Sequence, residues 1–106
     1  TGYNANPNEV MDIVRERNIE TIMGNHDAAV CGLEDPWFFR SAAKKAIQWQ
    51  LEVIRDDHKA YLKTLPEKLR FFDGCLGVHG SPGHRDDYII DWLDATIAPY
   101  LPAAPD

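Results

Sequence analysis

Hydrophobic residues recur at helical spacing in four stretches of the chain. The pair Asn6-Pro7 has the features of a helix start, and the apolar spacing that follows predicts a helix to about residue 18. The longest amphipathic stretch predicts a helix over residues 42–54, and a shorter one is predicted around residues 61–65. A final helix is predicted through residues 88–97.

Short β-prone runs separate these helices. Residues 21–23 form one such run, which stops at Gly24. Residues 70–72 and 75–78 predict two strands joined by a tight turn at residues 73–74, which are Asp-Gly. Helices that alternate with strands in this way indicate an α/β fold.

Composition narrows the class of protein. The 106 residues suffice for one small domain, and 44% hydrophobic with 26% charged residues is typical of a folded globular chain. The net charge of −6 argues against an extended nucleic-acid surface. No apolar run has the length to cross a bilayer, and no stretch resembles a signal peptide. Cys31 and Cys75 are expected to be buried hydrophobes or bystander thiols, and a cytoplasmic location is expected.

A first polar cluster follows the run at residues 21–23. Gly24 permits a sharp turn, and Asn25 offers an amide oxygen that suits a divalent metal ion. His26 can act as an acid, a base or a metal ligand, and Asp27 can orient the imidazole by accepting a hydrogen bond. Ordinary turn chemistry accounts for the same four residues equally well.

A second histidine stands at the end of the last predicted strand. His79 is followed by Gly80, which permits close backbone approach, and Pro82 stiffens the exit. A single histidine in such a place is more often structural than a ligand. Here, however, two predicted strands are each followed by a glycine and a histidine. The ends of two such strands can meet at one edge of a sheet, which favours a ligand role over a structural one. We therefore expect the side chains of Asn25 and His79 to converge.

Both clusters resemble motifs of the calcineurin-like metallophosphoesterases. Residues 22–27 (Ile-Met-Gly-Asn-His-Asp) resemble the family's Gly-Asn-His-Asp/Glu motif, and residues 76–82 resemble its later histidine-glycine strand end. Residues 2–10 resemble the segment after the family's Gly-Asp motif in its small bacterial and archaeal branch, and residues 49–66 match that branch's insert. The family's Asp-x-His, Gly-Asp and Gly-His-x-His motifs are absent, and His84 cannot replace the last of them.

The resemblance implies a fold, a chemistry and a set of roles. Residues 1–106 would be an internal fragment, a partial four-layer α/β/β/α sandwich that lacks the N-terminal strands and the C-terminal motif. The intact parent would hydrolyse a phosphate diester or monoester at a centre of two divalent ions, with Mn²⁺ as first choice and Fe, Ni or Zn as alternatives. Asn25 and His79 would be metal ligands, and His26 and Asp27 catalytic residues.

A non-enzymatic alternative stays open. The chain could be a non-catalytic fragment or a scaffold that forms homo-oligomers through exposed sheet edges. A phosphate ester is the expected substrate and no membrane partner is expected. Among the remaining polar groups, residues 84–87 form either a substrate-contacting loop or a solvated turn, and residues 56–58 are expected to break a helix at the surface. At least one of the three aromatics at residues 37–39 is expected to line a cleft or another chain.

Overall fold

The computed structural model describes residues 1–91 and residue 99. Helices and a small antiparallel sheet make up this part of the chain, so the mixed α/β class is confirmed. No helix within the described residues is long and apolar enough to cross a membrane. The regular elements are α1 (Pro7–Glu16), α2 (Asn25–Val30), a 3-10 turn (Pro36–Phe38), α3 (Ser41–Val53), α4 (Asp56–Lys63), β1 (Lys68–Phe71) and β2 (Cys75–Val78).

Helix α1 begins as the sequence predicts and ends two residues earlier. Pro7 occupies the start of the helix, where its missing N–H costs no hydrogen bond. Met11 is buried, while Val10 and Ile13 remain about half exposed. The helix stops at Glu16 because Asn18 takes a left-handed conformation, with φ of 48°, that an α-helix cannot include.

The hydrophobic core lies among the helices. Its buried members come from α1, the end of α2, α3 with its C-cap, and α4: Met11, Ala29, Val30, Cys31, Ile47, Ile54 and Leu62. The predicted helix at residues 42–54 is confirmed as α3, and the helix predicted around residues 61–65 is confirmed as α4, which ends at Lys63 rather than at residue 65. Cys31 is buried in this core and Cys75 is exposed on β2, and both are free thiols.

Residues 56–58 are placed differently from the prediction. They begin α4 rather than interrupt a helix, and the break lies just before them, where α3 ends in the extended residues Ile54 and Arg55. Asp56 and Asp57 suit the first turn of a helix because carboxylates interact favourably with its positive end. His58 is fully buried, so the expectation of a surface position was wrong for this residue.

Ion pairs join α1 to the start of α4. The Arg55 guanidinium lies 2.7 Å from an Asp12 oxygen and 3.0 Å from an Asp57 oxygen, and Arg15 lies 2.8 Å from the other Asp57 oxygen. Hydrogen bonds from Arg55 hold the pKa values of Asp57 and Asp12 below their usual range. His58 Nε2 is 3.0 Å from Asp12 without the alignment of a hydrogen bond.

Strands β1 and β2 form the predicted hairpin. They pair antiparallel with Lys68 opposite Val78 and Phe71 opposite Cys75, around a turn in which Phe72 and Gly74 have φ of 52° and 81°. Every residue of both strands is at least partly exposed. The first strand begins at Lys68 rather than at residue 70, because the ladder with β2 extends that far.

Two predicted elements have a different outcome. Residues 21–23 are not a strand: a β-prone run needs a neighbouring strand, and here Met23 N only donates one hydrogen bond to Pro66 O, at 2.8 Å. The helix expected at residues 88–97 is absent over residues 88–90, and residues 92–97 lie outside the described residues. The described part therefore has one two-stranded sheet.

Candidate functional site

The first polar cluster is built on the start of α2. Gly24 is extended and caps the helix, and its N–H donates to Asp27 Oδ2 at 2.9 Å. Residues 28–30 of the same helix are buried, so the helix is anchored by its other end. The sequence predicts a turn at these residues, whereas Asn25 and His26 lie on a short helix. The helix starts directly after Gly24 because the Asp27 side chain caps it.

The side chains of the two sequence motifs converge as expected. His79 follows β2 directly, and its Nε2 atom lies 3.0 Å from Asn25 Oδ1, across 54 positions of sequence. A side chain at Gly24 would lie 3.2 Å from the His79 ring, so the glycine leaves room for this approach. The two residues do not meet as strand ends of one sheet, however, because residues 21–23 form no strand.

His26 is enclosed by two aromatic rings. The imidazole centroid lies 4.8 Å from that of Tyr3 and 5.0 Å from that of Phe39, the second in an edge-to-face arrangement. Its Nδ1 atom is buried without a hydrogen-bond partner. Burial lowers the pKa of His26, His79 lowers it further, and Asp27 opposes them in part. The imidazole is therefore neutral near pH 7.

Asp27 interacts with the N-terminal segment rather than with His26. It accepts hydrogen bonds from the Thr1 hydroxyl and from the Gly24 N–H. Burial raises the pKa of Asp27, and these two hydrogen bonds act in the opposite direction. The predicted hydrogen bond to the imidazole is not formed, because consecutive helical residues point about 100° apart.

The adjacent aromatics at residues 37–39 do not share a face. Trp37 and Phe38 are 75% and 91% exposed, while Phe39 turns inward against His26. Lys44 Nζ lies over the Trp37 ring, 3.1 Å from its centroid. The sequence predicts a cleft position for at least one of these three aromatics without indicating which. In the structure it is Phe39 that contacts the site, through His26.

All four predicted site residues line one cavity of about 510 Å³. The loop after β2 closes one side of it and is organised by the buried Ser81, whose hydroxyl donates to Asp87 and accepts from the N–H groups of Gly83 and His84. Arg85 also lines the cavity, and its guanidinium lies 2.5 Å from a Glu67 oxygen. Of the polar loop at residues 84–87, Arg85 and Asp87 therefore face the cavity. The lining residues are Thr1, Tyr3, Gly24, Asn25, His26, Asp27, His79, Gly80, Arg85, Asp87, Tyr88 and Ile89.

The pair Asn25–His79 has the chemistry of two metal ligands. Two ligands about 2.1 Å from an octahedral ion and at a right angle to each other are separated by about 3.0 Å. The 3.0 Å between Asn25 Oδ1 and His79 Nε2 matches this separation and is also the length of an ordinary hydrogen bond. Within the described residues, no three histidine, cysteine, aspartate or glutamate side chains are grouped to hold a metal ion.

Sequence reasoning missed one buried residue beside the site. Gln50 is 1% exposed and hydrogen-bonds to the backbone of Gly2 and Asn4. The available signal was its position three residues after Ile47, which places an amide on the apolar face of the predicted helix.

Comparison with known proteins gives one informative similarity. Over 65 residues the chain is 38% identical to uncharacterized protein MJ0912 of Methanocaldococcus jannaschii. The aligned stretch is 61% of this chain and 27% of that protein, so the chain spans about a quarter of the relative's length. No protein-family profile matches the chain, and no solved structure does.

Proposed function

We propose that this chain carries part of the active site of a metal-dependent phosphoesterase of the calcineurin-like class. The observation that supports it most directly is the approach of Asn25 Oδ1 to His79 Nε2, at 3.0 Å, between two segments 54 positions apart. His26 and Asp27 line the same cavity. Three of the polar side chains from the two sequence motifs, those of Asn25, His26 and His79, thus lie around one cavity.

Asn25 and His79 are the residues that would hold a divalent ion. Mixed amide-oxygen and imidazole ligation suits Mn²⁺ and leaves Fe, Ni and Zn as alternatives. A divalent ion bound there would act as a Lewis acid toward the phosphoryl oxygens of a substrate. In the proposed reaction, an oxygen from water forms a bond to phosphorus and the ester P–O bond breaks, while the water gives up one proton to solvent and the departing oxygen takes one up from solvent.

His26 is the proposed partner of the departing oxygen. Its lowered pKa keeps the imidazole neutral near pH 7, and a neutral imidazole donates through one N–H. This supports hydrogen bonding to the departing oxygen over protonation by a stable imidazolium. Asp27 acts on the site through Gly24 and Thr1, which fixes the start of α2 and so the backbone of Asn25 and His26.

A longer protein that contains this chain would supply the rest of the site. We propose a four-layer α/β/β/α sandwich with two metal ions per site, located in the cytoplasm and acting on a phosphate diester or monoester. The 38% identity with a protein about four times longer than the aligned stretch is compatible with an active site that needs further segments.

A scaffold role is the second candidate. The hairpin is exposed along both strands, with Phe71 at 42%, Phe72 at 86% and Leu76 at 40% exposure. An exposed pair of strands is a template for another strand, including one from a second copy of the chain. In this case the Asn25–His79 contact would be a structural hydrogen bond alone.

Titration with Mn²⁺ separates these candidates. We expect Mn²⁺ to broaden the NMR signals of Asn25 and His79 selectively, with millimolar affinity because two ligands do not fill a coordination shell. Asn25→Ala and His79→Ala should each weaken binding about tenfold, whereas His26→Ala should leave it unchanged. His84→Ala removes an exposed histidine that does not line the cavity and serves as the matched control. Equal broadening in the His79→Ala and His84→Ala variants would exclude the proposed site.

A hydrolysis assay tests the same proposal at the level of turnover. The 106-residue chain should hydrolyse bis(p-nitrophenyl) phosphate barely above background, since within the described residues the acidic and imidazole ligands do not form a full metal site. Intact mass must be verified, because a contaminating phosphoesterase would mimic activity. Robust turnover that a chelator abolishes and that His79→Ala does not change would show that another centre is responsible.

A further inference from the structure

Gln50 connects α3 to the N-terminal segment through three hydrogen bonds. Its Oε1 accepts from Gly2 N at 2.9 Å, and its Nε2 donates to Gly2 O at 2.9 Å and to Asn4 O at 3.2 Å. The side chain is 1% exposed, so an unpaired amide there would be costly. The segment is not part of a helix or strand, and the amide therefore supplies hydrogen bonds that regular structure does not.

The segment that Gln50 holds forms one wall around the His26 imidazole. Gly2 has φ of 129°, and a β-carbon there would overlap His26 Nδ1. The Tyr3 ring packs on the imidazole with its centroid at 4.8 Å, tilted by 48°. Helix α2 fixes the backbone of His26, while Gly2 and Tyr3 restrict where its ring can lie.

We infer that Gln50 is a positioning residue for the His26 imidazole, acting through the backbone of Gly2 and Asn4. Gln50 is not among the residues that line the 510 Å³ cavity beside His26, so it does not contact a substrate bound there. The inference deepens the proposed function and rests on it, since a defined imidazole position matters for hydrogen bonding to a departing oxygen. The hydrogen-bond pattern requires an acceptor and two donors on one planar group, which glutamine provides.

Two substitutions grade the loss of this pattern. Gln50→Met keeps a long unbranched side chain and removes all three hydrogen bonds. Gln50→Glu keeps the shape and an acceptor for Gly2 N, and burial favours its neutral carboxyl, which has one O–H donor in place of the two donors of the amide. We expect Gln50→Met to displace the segment fully and Gln50→Glu to displace it to a smaller extent.

Asn8, which lies in α1, provides a matched control because it bonds to the C-terminal end of α3, a few residues after Gln50. Its Nδ2 donates to Val53 O at 2.8 Å and its Oδ1 accepts from Arg55 N at 2.9 Å. Asn8 is likewise an amide that joins an N-terminal part of the chain, here α1, to the end of α3. It does not line the 510 Å³ cavity beside His26. Asn8→Ala therefore removes comparable hydrogen bonds without touching the wall around His26.

The test is the NMR signature of the histidine ring in the 106-residue chain. The wild type should show Tyr3–His26 ring contacts as nuclear Overhauser effects and ring-current-shifted His26 protons. In Gln50→Met those contacts should be lost and the His26 protons should move toward their unfolded shifts, while Asn8→Ala keeps the wild-type signals. If Gln50→Met fails to fold by circular dichroism, Gln50→Glu decides the question by the same signals. Unchanged His26 signals in a folded Gln50 variant would overturn the inference.

The same samples distinguish this inference from the proposed function. Addition of Mn²⁺ should broaden Asn25 and His79 in both the wild type and Gln50→Met, because Gln50 does not support those two side chains directly. Absence of broadening in the wild type would exclude the metal site while leaving the His26 result intact. Loss of broadening in Gln50→Met alone would show a general collapse of the site and would overturn a role confined to His26.

Discussion

The four helices and the β-hairpin are packed to very different degrees. Ile47, Val30 and Leu62 are at most 1% exposed, and the core they share draws on every one of the four helices. In the hairpin every strand residue is at least partly exposed, and Phe72 at its turn is 86% exposed. Two-stranded sheets are marginal by themselves in water, so the hairpin depends on a few contacts with the rest of the chain.

The candidate site contains residues from both regions, the helical core and the hairpin. Asn25 and His26 belong to α2, which is anchored in the helical core, whereas His79 follows the hairpin. Contacts between the two regions include the Met23–Pro66 hydrogen bond and the pairing of Asn25 with His79. One half of the site is thus held by packing and the other by polar contacts, which means that the hairpin determines how well the ligand pair is formed.

The largest expected effect is in the helical core. Ile47→Ala should reduce the free energy of unfolding by about 2–5 kcal/mol, because it opens a cavity at a fully buried position. Leu76→Ala in β2, where the side chain is 40% exposed, should change it by only about 0.5 kcal/mol. Urea unfolding followed by circular dichroism measures both. Equal losses would show that the hairpin is buried in solution, as contact with a second copy would require.

A smaller effect is expected at the glycines around the hairpin. Gly80 and Gly74 both have positive φ, of 74° and 81°, so alanine costs about 1 kcal/mol at either position. A β-carbon at Gly80 would also lie 2.6 Å from Arg85 O and 2.7 Å from His84 O, whereas at Gly74 it would meet open space. Gly80→Ala should therefore cost about 2 kcal/mol or more and displace the neighbouring His79 ring.

Gly74→Ala is the control for this prediction. Gly74→Ala should lower the free energy of unfolding only by the cost of a positive φ for alanine. It should leave the His79 ring signals in place, because the turn is at the opposite end of β2 from His79. Similar unfolding free energies for the two variants, with His79 unmoved, would mean that the loop after β2 adapts to a side chain at Gly80.

Elements with local signals were predictable from the sequence. Helix α3 has a long amphipathic repeat and the hairpin has Asp73-Gly74 at its turn, and both are confirmed. The run at residues 21–23 has the composition of a strand but no strand beside it in the described part of the chain, which composition cannot reveal. Helix α2 was missed because six residues give too short a repeat, and its start depends on the Asp27 cap.

The candidate site also has features that the sequence predicts and features that it does not. The convergence of Asn25 and His79 was predicted and is found, but the predicted reason, two strand ends of one sheet, was wrong because residues 21–23 form no strand. The surroundings of His26 were not, since Tyr3, Phe39 and Gln50 reach it through contacts between segments far apart in sequence. Asp27 was assigned the wrong partner because adjacency in sequence is not adjacency on a helix.

The smallest expected effect comes from the ion pairs that join α1 to α4. Hydrogen bonds from Arg55, and then from Arg15, hold the pKa of Asp57 well below its usual range. A carboxylate with a lowered folded-state pKa contributes stability that is fully present above its unfolded value, about pH 3.9, and is lost as pH falls through the folded value. The side chains are 37–50% exposed, so solvent screens the effect and keeps it small.

Asp57→Asn should therefore lower the free energy of unfolding slightly and equally between pH 5 and pH 7. The difference from the wild type should shrink progressively below about pH 4, because the carboxylate binds a proton there in the unfolded chain while it stays ionised in the fold. Asp73→Asn makes the same substitution in the hairpin turn, where no ion pair to Asp73 is formed within the described residues. Urea unfolding at several pH values decides the matter. A pH-independent difference for Asp57→Asn, or one that Asp73→Asn reproduces, would show that these ion pairs do not distinguish the helical core from the hairpin.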